Sequence, residues 1–336
     1  MKNITMLLIA GLAMGLTGSA MAKQSHKMPK SAPVKVIWDD DCSDDPDCNF
    51  AIPAMHKWIE AGKVEVLAFI ANSSNPYSAP VFKIYETYYH HTNIPIGAYQ
   101  GSDNSAKSTS AWAKGLVAKF DAGDIRSQYS DCVSVYRKAL AQAPDKSVKL
   151  ISTGFLTCVS ALMNSPSDAL SPLSGAELIK KKVTGLYVMG GDYPNGNEFN
   201  FQGDAPAAHN IYANWTAQNG FPNIYSNGFT PGSTVMSGVP LWFDDSYPQY
   251  FQGSLSQTYT RPSWDTLSVY QAVFGLSDFI LSANGTNSVE AATGINHWSS
   301  DIKSGHYYLS LAKPSAYYAK RLYQTTYGQA RAKTSN

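Results

Sequence analysis

The sequence predicts an α/β protein: a single domain with a mainly parallel central sheet flanked by helices. Two observations carry that reading. Short apolar, β-branched runs alternate with segments of helical period from residue 34 to residue 226. Such alternation builds parallel strands joined by right-handed crossovers. No internal repeat or Pro-rich linker divides the chain, so one domain over residues 23–336 is the simplest account.

The elements follow in order. Residues 34–38 (VKVIW) read as a buried strand, and Phe50, Ala51, Ile52, Met55 and Ile59 recur at helical spacing after it. Residues 64–70 (VEVLAFI) form a second strand, ending in the polar turn ANSSNP and a helix over 78–89. A short third strand falls at 94–99. Residues 100–125 are rich in Ser, Gly and Lys, with Trp112 and Phe120 as isolated anchors, and read as a long surface loop. A helix over 127–143 leads to a strand at 148–152, and Thr153-Gly154 turns into another helix. A strand at 183–189 ends in Gly190-Gly191. A polar loop, a helix over 205–215 and a strand at 223–226 complete the alternating part. The remainder is less regular: an aromatic-rich stretch at 241–259, a helix from Trp264, and a hairpin expected near Asn284-Gly285.

Lys2, an apolar run over 6–16 and the small-x-small site Ala20-Met21-Ala22 have the pattern of a secretory leader, giving a signal peptide over residues 1–22. No cysteine follows the run to anchor a lipid, and the run is too short to span a bilayer. The expected location is therefore outside the cytoplasm, periplasmic or secreted. The 26 Lys and Arg nearly balance the 25 Asp and Glu, and loss of Lys2 with the leader makes the balance even. That argues against nucleic acid or an anionic membrane as the main partner. Cys42, Cys48, Cys132 and Cys158 match no zinc pattern, and in an exported protein they permit disulfides in any of three full pairings. Cys48 is expected to be oxidised, to Cys42 or to another cysteine near the same turn.

The chain's chemistry concentrates between the first strand and the first helix. Asp39, Asp40, Asp41, Asp44 and Asp45 fall within seven positions, and Asp47 follows. Six like charges in one strand-to-helix turn repel unless a cation or hydrogen-bond donors sit among them. Ligands bind at the carboxyl ends of strands in open α/β sheets. The alternative is a solvated acidic loop with Asp47 as helix N-cap, but a buried strand directly before the turn disfavours it. Other strand ends deliver Asn72 and Asn75, Thr153, and the loop with Asn195, Asn197, Glu198 and Asn200. In a parallel sheet these converge on one edge, and amides with a carboxylate suit sugar hydroxyls. Asp265 begins a helix and taken alone reads equally well as an N-cap.

The segments DDDCSDDPDCNFAI (39–52), NSSNPYSAP (72–80), IPIG (94–97), STGFLT (152–157), MGGDYPNGNEFNF (189–201), DAPAAHNIYANW (204–215) and RPSWD (261–265) resemble, in order, those of the inosine-uridine-preferring nucleoside hydrolases, particularly an exported branch. The resemblance implies a calcium-dependent hydrolase that splits ribonucleosides into base and ribose, with a small-molecule nucleoside as its partner; it leaves a homo-oligomer open. Residue by residue, it implies that Asp41 binds calcium and deprotonates the attacking water, that Thr153 gives a backbone carbonyl to the metal, and that Asp265 is a calcium carboxylate. Asp39 would lie near the metal. Asp47, Glu198 and Asn200 would hold ribose hydroxyls, with Asn195 or Asn197 joining them, and Asn75 would line the pocket.

Two departures qualify the match. The family's motif ends in paired aspartates, but here the pair reads Asp47-Cys48, or Asp45-Pro46 without the insertion; Asp44 or Asp45 is expected to supply the missing calcium carboxylate. Trp264 stands where better-known members carry a histidine, and it can stack on a base but cannot donate a proton. Two other readings compete with hydrolysis: a pseudo-enzyme that binds a nucleoside or sugar without cleaving it, and a phosphatase of the haloacid dehalogenase type using Asp39 and Asp41.

Overall fold

The computed structural model describes residues 32–42, 45–102, 104, 112–120, 126–236 and 261–328. The leader pattern and the aromatic stretch at 241–259 lie outside the described residues. In chain order the first elements are β1 (Val34–Asp40), α1 (Cys48–Glu60), β2 (Val64–Ala71), α2 (Ser78–Tyr88), β3 (Ile96–Ala98), α3 (Trp112–Lys119), β4 (Ser130–Asp131), α4 (Cys132–Gln142), β5 (Val148–Ser152) and α5 (Thr157–Asn164). Then come α6 (Gly175–Lys182), β6 (Val183–Met189), β7 (Asn195–Gly196), α7 (Phe199–Gly203), α8 (Ala205–Asn214), β8 (Ile224–Asn227) and α9 (Phe229–Thr234). The last are α10 (Trp264–Phe274), β9 (Phe279–Leu281), β10 (Thr286–Val289), β11 (Asn296–Ser299), β12 (His306–Leu311) and α11 (Ser315–Tyr327).

Among the described residues the central sheet has nine strands in the order β4-β3-β2-β1-β5-β6-β8-β12-β9. Every pairing is parallel except that of β9 with β12. Helices cover both faces, as the sequence predicts. The period-two alternation of β1 sorts its side chains between two cores. Val36 and Trp38 join α1 and α10, while Ile37 joins α4, α5 and α8. Trp38 is enclosed edge-on by Phe69 and Phe82.

Four differences from the sequence reading have physical causes. The segment expected as a loop over 100–125 carries α3, whose Ala113, Leu116 and Val117 are buried; that short apolar face is hidden by a polar composition. α6 was missed although Ser174 and Glu177 form a capping box, a signature readable in sequence. The hairpin expected at Asn284-Gly285 is instead formed by β10 and β11, pairing Val289 with Asn296, while Gly285 bridges to His306. β12 adds to the sheet beside β8, a partnership set by tertiary packing and invisible locally.

His56 of α1 is buried, stacks on Tyr89 at 4.8 Å and brings Nδ1 to 2.9 Å from Nδ1 of His91. Burial lowers its pKa from 6.5 to about 3. A histidine depressed on folding contributes stability that is present above its unfolded pKa and is lost as pH falls from 6.5 toward 3. The expected outcome is that His56→Phe loses less stability than wild type between pH 7 and pH 4.5, measured by urea unfolding. Parallel losses in the two proteins would contradict the assignment.

Candidate active site

The sheet changes direction at β1. Strands β2 to β4 lie on one side and β5, β6, β8 and β12 on the other, so the carboxyl ends of β1 and β5 form the switch point at which ligands bind in open α/β sheets. The end of β1 is bonded from both sides: Thr153 N donates to Asp39 O at 2.8 Å, and Asn72 N donates to Asp40 O at 3.0 Å. The turn after β5 passes so close that a Cβ on Gly154 would lie 2.5 Å from Asp41 N. Only glycine fits there.

Alternation along β1 sends consecutive carboxylates to opposite faces. Asp39 turns toward α4, where it accepts Nδ2 of Asn72 and, at 2.8 Å, the hydroxyl of Tyr136. Burial is the main cause of its raised pKa, about 8. With both oxygens occupied, Asp39 is not presented as the nucleophile a phosphatase of the dehalogenase type requires. Asp40 turns toward α10. Its Oδ2 accepts Thr153 Oγ1 at 2.6 Å, and that hydroxyl oxygen accepts Trp38 Nε1 at 2.7 Å. Asp40 Oδ1 is buried and within hydrogen-bonding distance of no donor among the described residues, although the Cys42 amide and the Asp265 carboxyl also approach the Asp40 carboxylate as donors.

Asp40 meets Asp47 and Asp265. Asp265 N donates to Asp47 Oδ2 at 3.3 Å. All three carboxyls are buried, and burial is the first cause that pushes each above its usual range. For Asp265 the charges of Asp47, Asp40 and Asp41 add to it in that order. Of the residues expected around a metal, the structure thus brings Asp41 and Asp265 together with Asp47 and adds Asp40. Sequence reasoning passed over Asp40 because it lies between the two motif aspartates; strand period and the position of α10 select it. The donor set fits a hard cation: several carboxylate oxygens, one without a donor, in a buried space where like charges otherwise repel.

Asp45, expected as a calcium carboxylate, is engaged elsewhere. Its Oδ1 accepts Arg261 Nε at 2.8 Å and Asp47 N at 3.0 Å, and its Oδ2 pairs with Arg261 Nη2. A guanidinium fork satisfies the carboxylate and leaves it a poor candidate for the metal. Cys42 and Cys48 form a disulfide, as expected for Cys48, and Cys132 pairs with Cys158. An oxygen of Asp40 and the sulfurs of Cys42 and Cys48 lie within 4.8 Å of one another, but bonded sulfurs are not thiolate ligands. Trp264 is held in place at the start of α10: its Nε1 donates to Phe229 O at 2.9 Å, and the Arg261 guanidinium lies 5.3 Å over its ring.

Among the sugar-binding candidates, Asn200 and Glu198 are buried, whereas Asn195 and Asn197 are exposed. Asn200 Nδ2 donates to Met189 O at 3.1 Å and reaches Thr153 O at 3.4 Å, which puts it beside the metal candidate. Glu198 caps α7. It accepts the amides of Asn200 at 2.9 Å, Gly191 at 3.0 Å and Phe201 at 3.2 Å. Burial raises its pKa to about 7 against those three donors. Asn195 Oδ1 accepts Trp298 N at 3.0 Å on the small antiparallel sheet, and Asn75 Oδ1 accepts Tyr77 N at 2.9 Å at the start of α2. Both are turn and edge residues as well as pocket candidates. Two further groups went unforeseen: Tyr136, in mid-helix without a local signal, and Asn227, at the end of β8, which bonds Ser268 Oγ at 3.1 Å and accepts Gln271 at 3.1 Å. A polar residue closing a buried strand was the available signal for Asn227.

No protein-family model and no curated protein matches the sequence. Solved structures do match in shape. A plant nucleoside hydrolase, PpNRh1, superposes with a TM-score of 0.61 over 88% of this chain and 99% of its own, at 16% identity. The purine-preferring ribonucleoside hydrolase from Gardnerella vaginalis gives 0.60 over 87% and 97%, at 13% identity. The type III effector XopQ, complexed with adenosine diphosphate ribose, gives 0.61 over 88% and 92%, at 15% identity. The chain has the nucleoside hydrolase-like fold, and at these identities the likeness is one of fold.

Removal of Glu198 tests the construction of the loop. Glu198→Ala leaves three amides of the turn without their acceptor, and an unpaired buried donor costs about 1–3 kcal/mol. Urea unfolding is expected to register a loss of at least that size, with Glu198→Gln recovering part of it. Equal stability of Glu198→Ala and wild type would contradict this account.

Proposed function

We propose that the protein is an exported N-glycosidase that hydrolyses a ribonucleoside to base and ribose with calcium at the carboxylate cluster. One observation carries the reading: Asp40, Asp41, Asp47 and Asp265 converge beside Thr153, which Asn200 contacts, at the point where the sheet changes direction. The shared fold with nucleoside hydrolases supports the reaction class. The two disulfides support an oxidising compartment, periplasmic or extracellular. Among the described residues no helix is long and apolar enough to cross a membrane.

Asp40, Asp41, Asp47, Asp265 and the Thr153 carbonyl are the oxygens that would hold calcium. Bound there, the ion would acidify a ligated water and offset the carboxylates' repulsion. Asp41, just past the end of β1, is the group assigned to accept the proton of the attacking water. The water oxygen bonds to C1′ as the C1′–N bond breaks through an oxocarbenium-like state; the bonding pair leaves with the base nitrogen, which takes a proton from solvent in place of the one Asp41 removes. Asn200 and Glu198 are assigned to the ribose hydroxyls. Glu198 Oε1 accepts a single amide, so a lone pair remains for a hydroxyl donor. The Trp264 indole, its N–H held by Phe229 O, is assigned to contact with the base and not to proton transfer.

A second reading, binding without cleavage, is favoured by Cys48: the position that resemblance assigns to a metal carboxylate is part of a disulfide. Release of reducing sugar and free base from a nucleoside panel, with calcium and with chelator, separates the two. Cleavage that requires calcium is expected, and Asp41→Asn should lower kcat/KM on the order of 10²-fold or more. A larger loss in Asp40→Asn with Asp41→Asn nearly intact would move the base to Asp40. A nucleoside that raises the melting temperature without being cleaved would replace hydrolysis with binding.

A further inference from the structure

Asp45 and Asp47, the loop carboxylates placed above, both lie between Cys42 and Cys48. Cys42 follows β1 and Cys48 is the first residue of α1; both are buried in the same core, so the disulfide pins the two ends of the loop. Asp47 occupies the N-cap position of α1 with helical φ and ψ (−69° and −24°) and no side-chain capping bond. The usual anchor of a carboxylate at that position, a bond to a helix amide, is therefore missing. Its Oδ2 accepts from the Asp265 amide and its carboxyl is also hydrogen-bonded by that of Asp265, while the charge of Asp40 repels it. Such a carboxylate needs a restraint that does not depend on charge.

We propose that the Cys42–Cys48 disulfide is the positioning element of the site: it holds Asp47 against Asp40 and Asp265, taking over by a covalent clamp the ordering that a second metal carboxylate at position 48 would have provided. The consequence for ligand binding rests on the proposed function; the clamp itself does not. Reduction by a dithiol breaks the S–S bond, places two electrons and two protons on the sulfurs as thiols, and oxidises the dithiol to its own disulfide. The site is then assembled only in the oxidised protein. Cys132–Cys158, which ties α4 to α5 on the other face of the sheet, provides the internal control.

The test compares the oxidised full chain with Cys42→Ser/Cys48→Ser and with Cys132→Ser/Cys158→Ser. Amide hydrogen exchange at residues 45–49 is expected to accelerate about tenfold or more in the first variant, with strand β5 unchanged. Calcium affinity, titrated with calcium chloride by calorimetry, should fall by about tenfold or more in that variant alone. Should the serine pair fail to fold, Cys42→Ala/Cys48→Val, which keeps the space apolar, carries the same comparison. Exchange at 45–49 as slow as in the oxidised protein overturns the proposal. If the loop loosens but the oxidised protein neither binds calcium nor cleaves any nucleoside, the positioning role stands and the proposed function falls.

Discussion

Buried carboxylates facing one another at the end of β1 are the constraint on which the site depends. Two unit charges 4 Å apart near a protein surface repel by about 4 kcal/mol, a large part of a typical net stability of about 5–15 kcal/mol. Several such pairs cannot persist ionised without something positive or proton-donating among them. The surroundings answer part of that need: the Thr153 hydroxyl on Asp40, the Asp265 amide on Asp47, and the Arg261 fork on Asp45. Asp40 Oδ1 is left over. The fold contributes by placing the group where two halves of the sheet diverge and backbone amides bind both sides of β1.

The disulfide belongs to the same balance. Closing a seven-residue loop removes about 2 kcal/mol of chain entropy from the unfolded state in the loop-closure model. That stabilisation falls on the segment where repulsion is concentrated. The chain thus couples a charge problem at one strand end to a covalent restraint a few residues away, and the oxidising compartment proposed for it would keep that restraint in place.

Much of this was legible in the sequence, and the gaps have a common cause. Strand-helix alternation to residue 226 foretold the parallel sheet, and polar residues closing buried strands pointed to the edge where the carboxylates gather. Asp47, Asp265, Thr153, Asn200 and Glu198 do come to that edge. What stayed hidden depended on contacts distant in sequence. Asp40 was masked by its neighbours until α10 fixed which face of β1 confronts Asp265, and Arg261 claims Asp45 from 216 residues away. β12 joins the sheet through β8, and Tyr136 reaches Asp39 across 97 residues from the middle of a helix. α6 is different, since its capping box stood in the sequence.

The central claim is that a cation completes the carboxylate cluster, and anomalous diffraction from crystals grown with calcium tests it most directly. The account predicts one peak at the cluster, bonded at about 2.3–2.6 Å to oxygens of Asp47 and Asp265, with Asp40 or Asp41 and the Thr153 carbonyl among the remaining ligands. A structure at saturating calcium with no peak there, and with Asp40, Asp47 and Asp265 sharing protons instead, would contradict it.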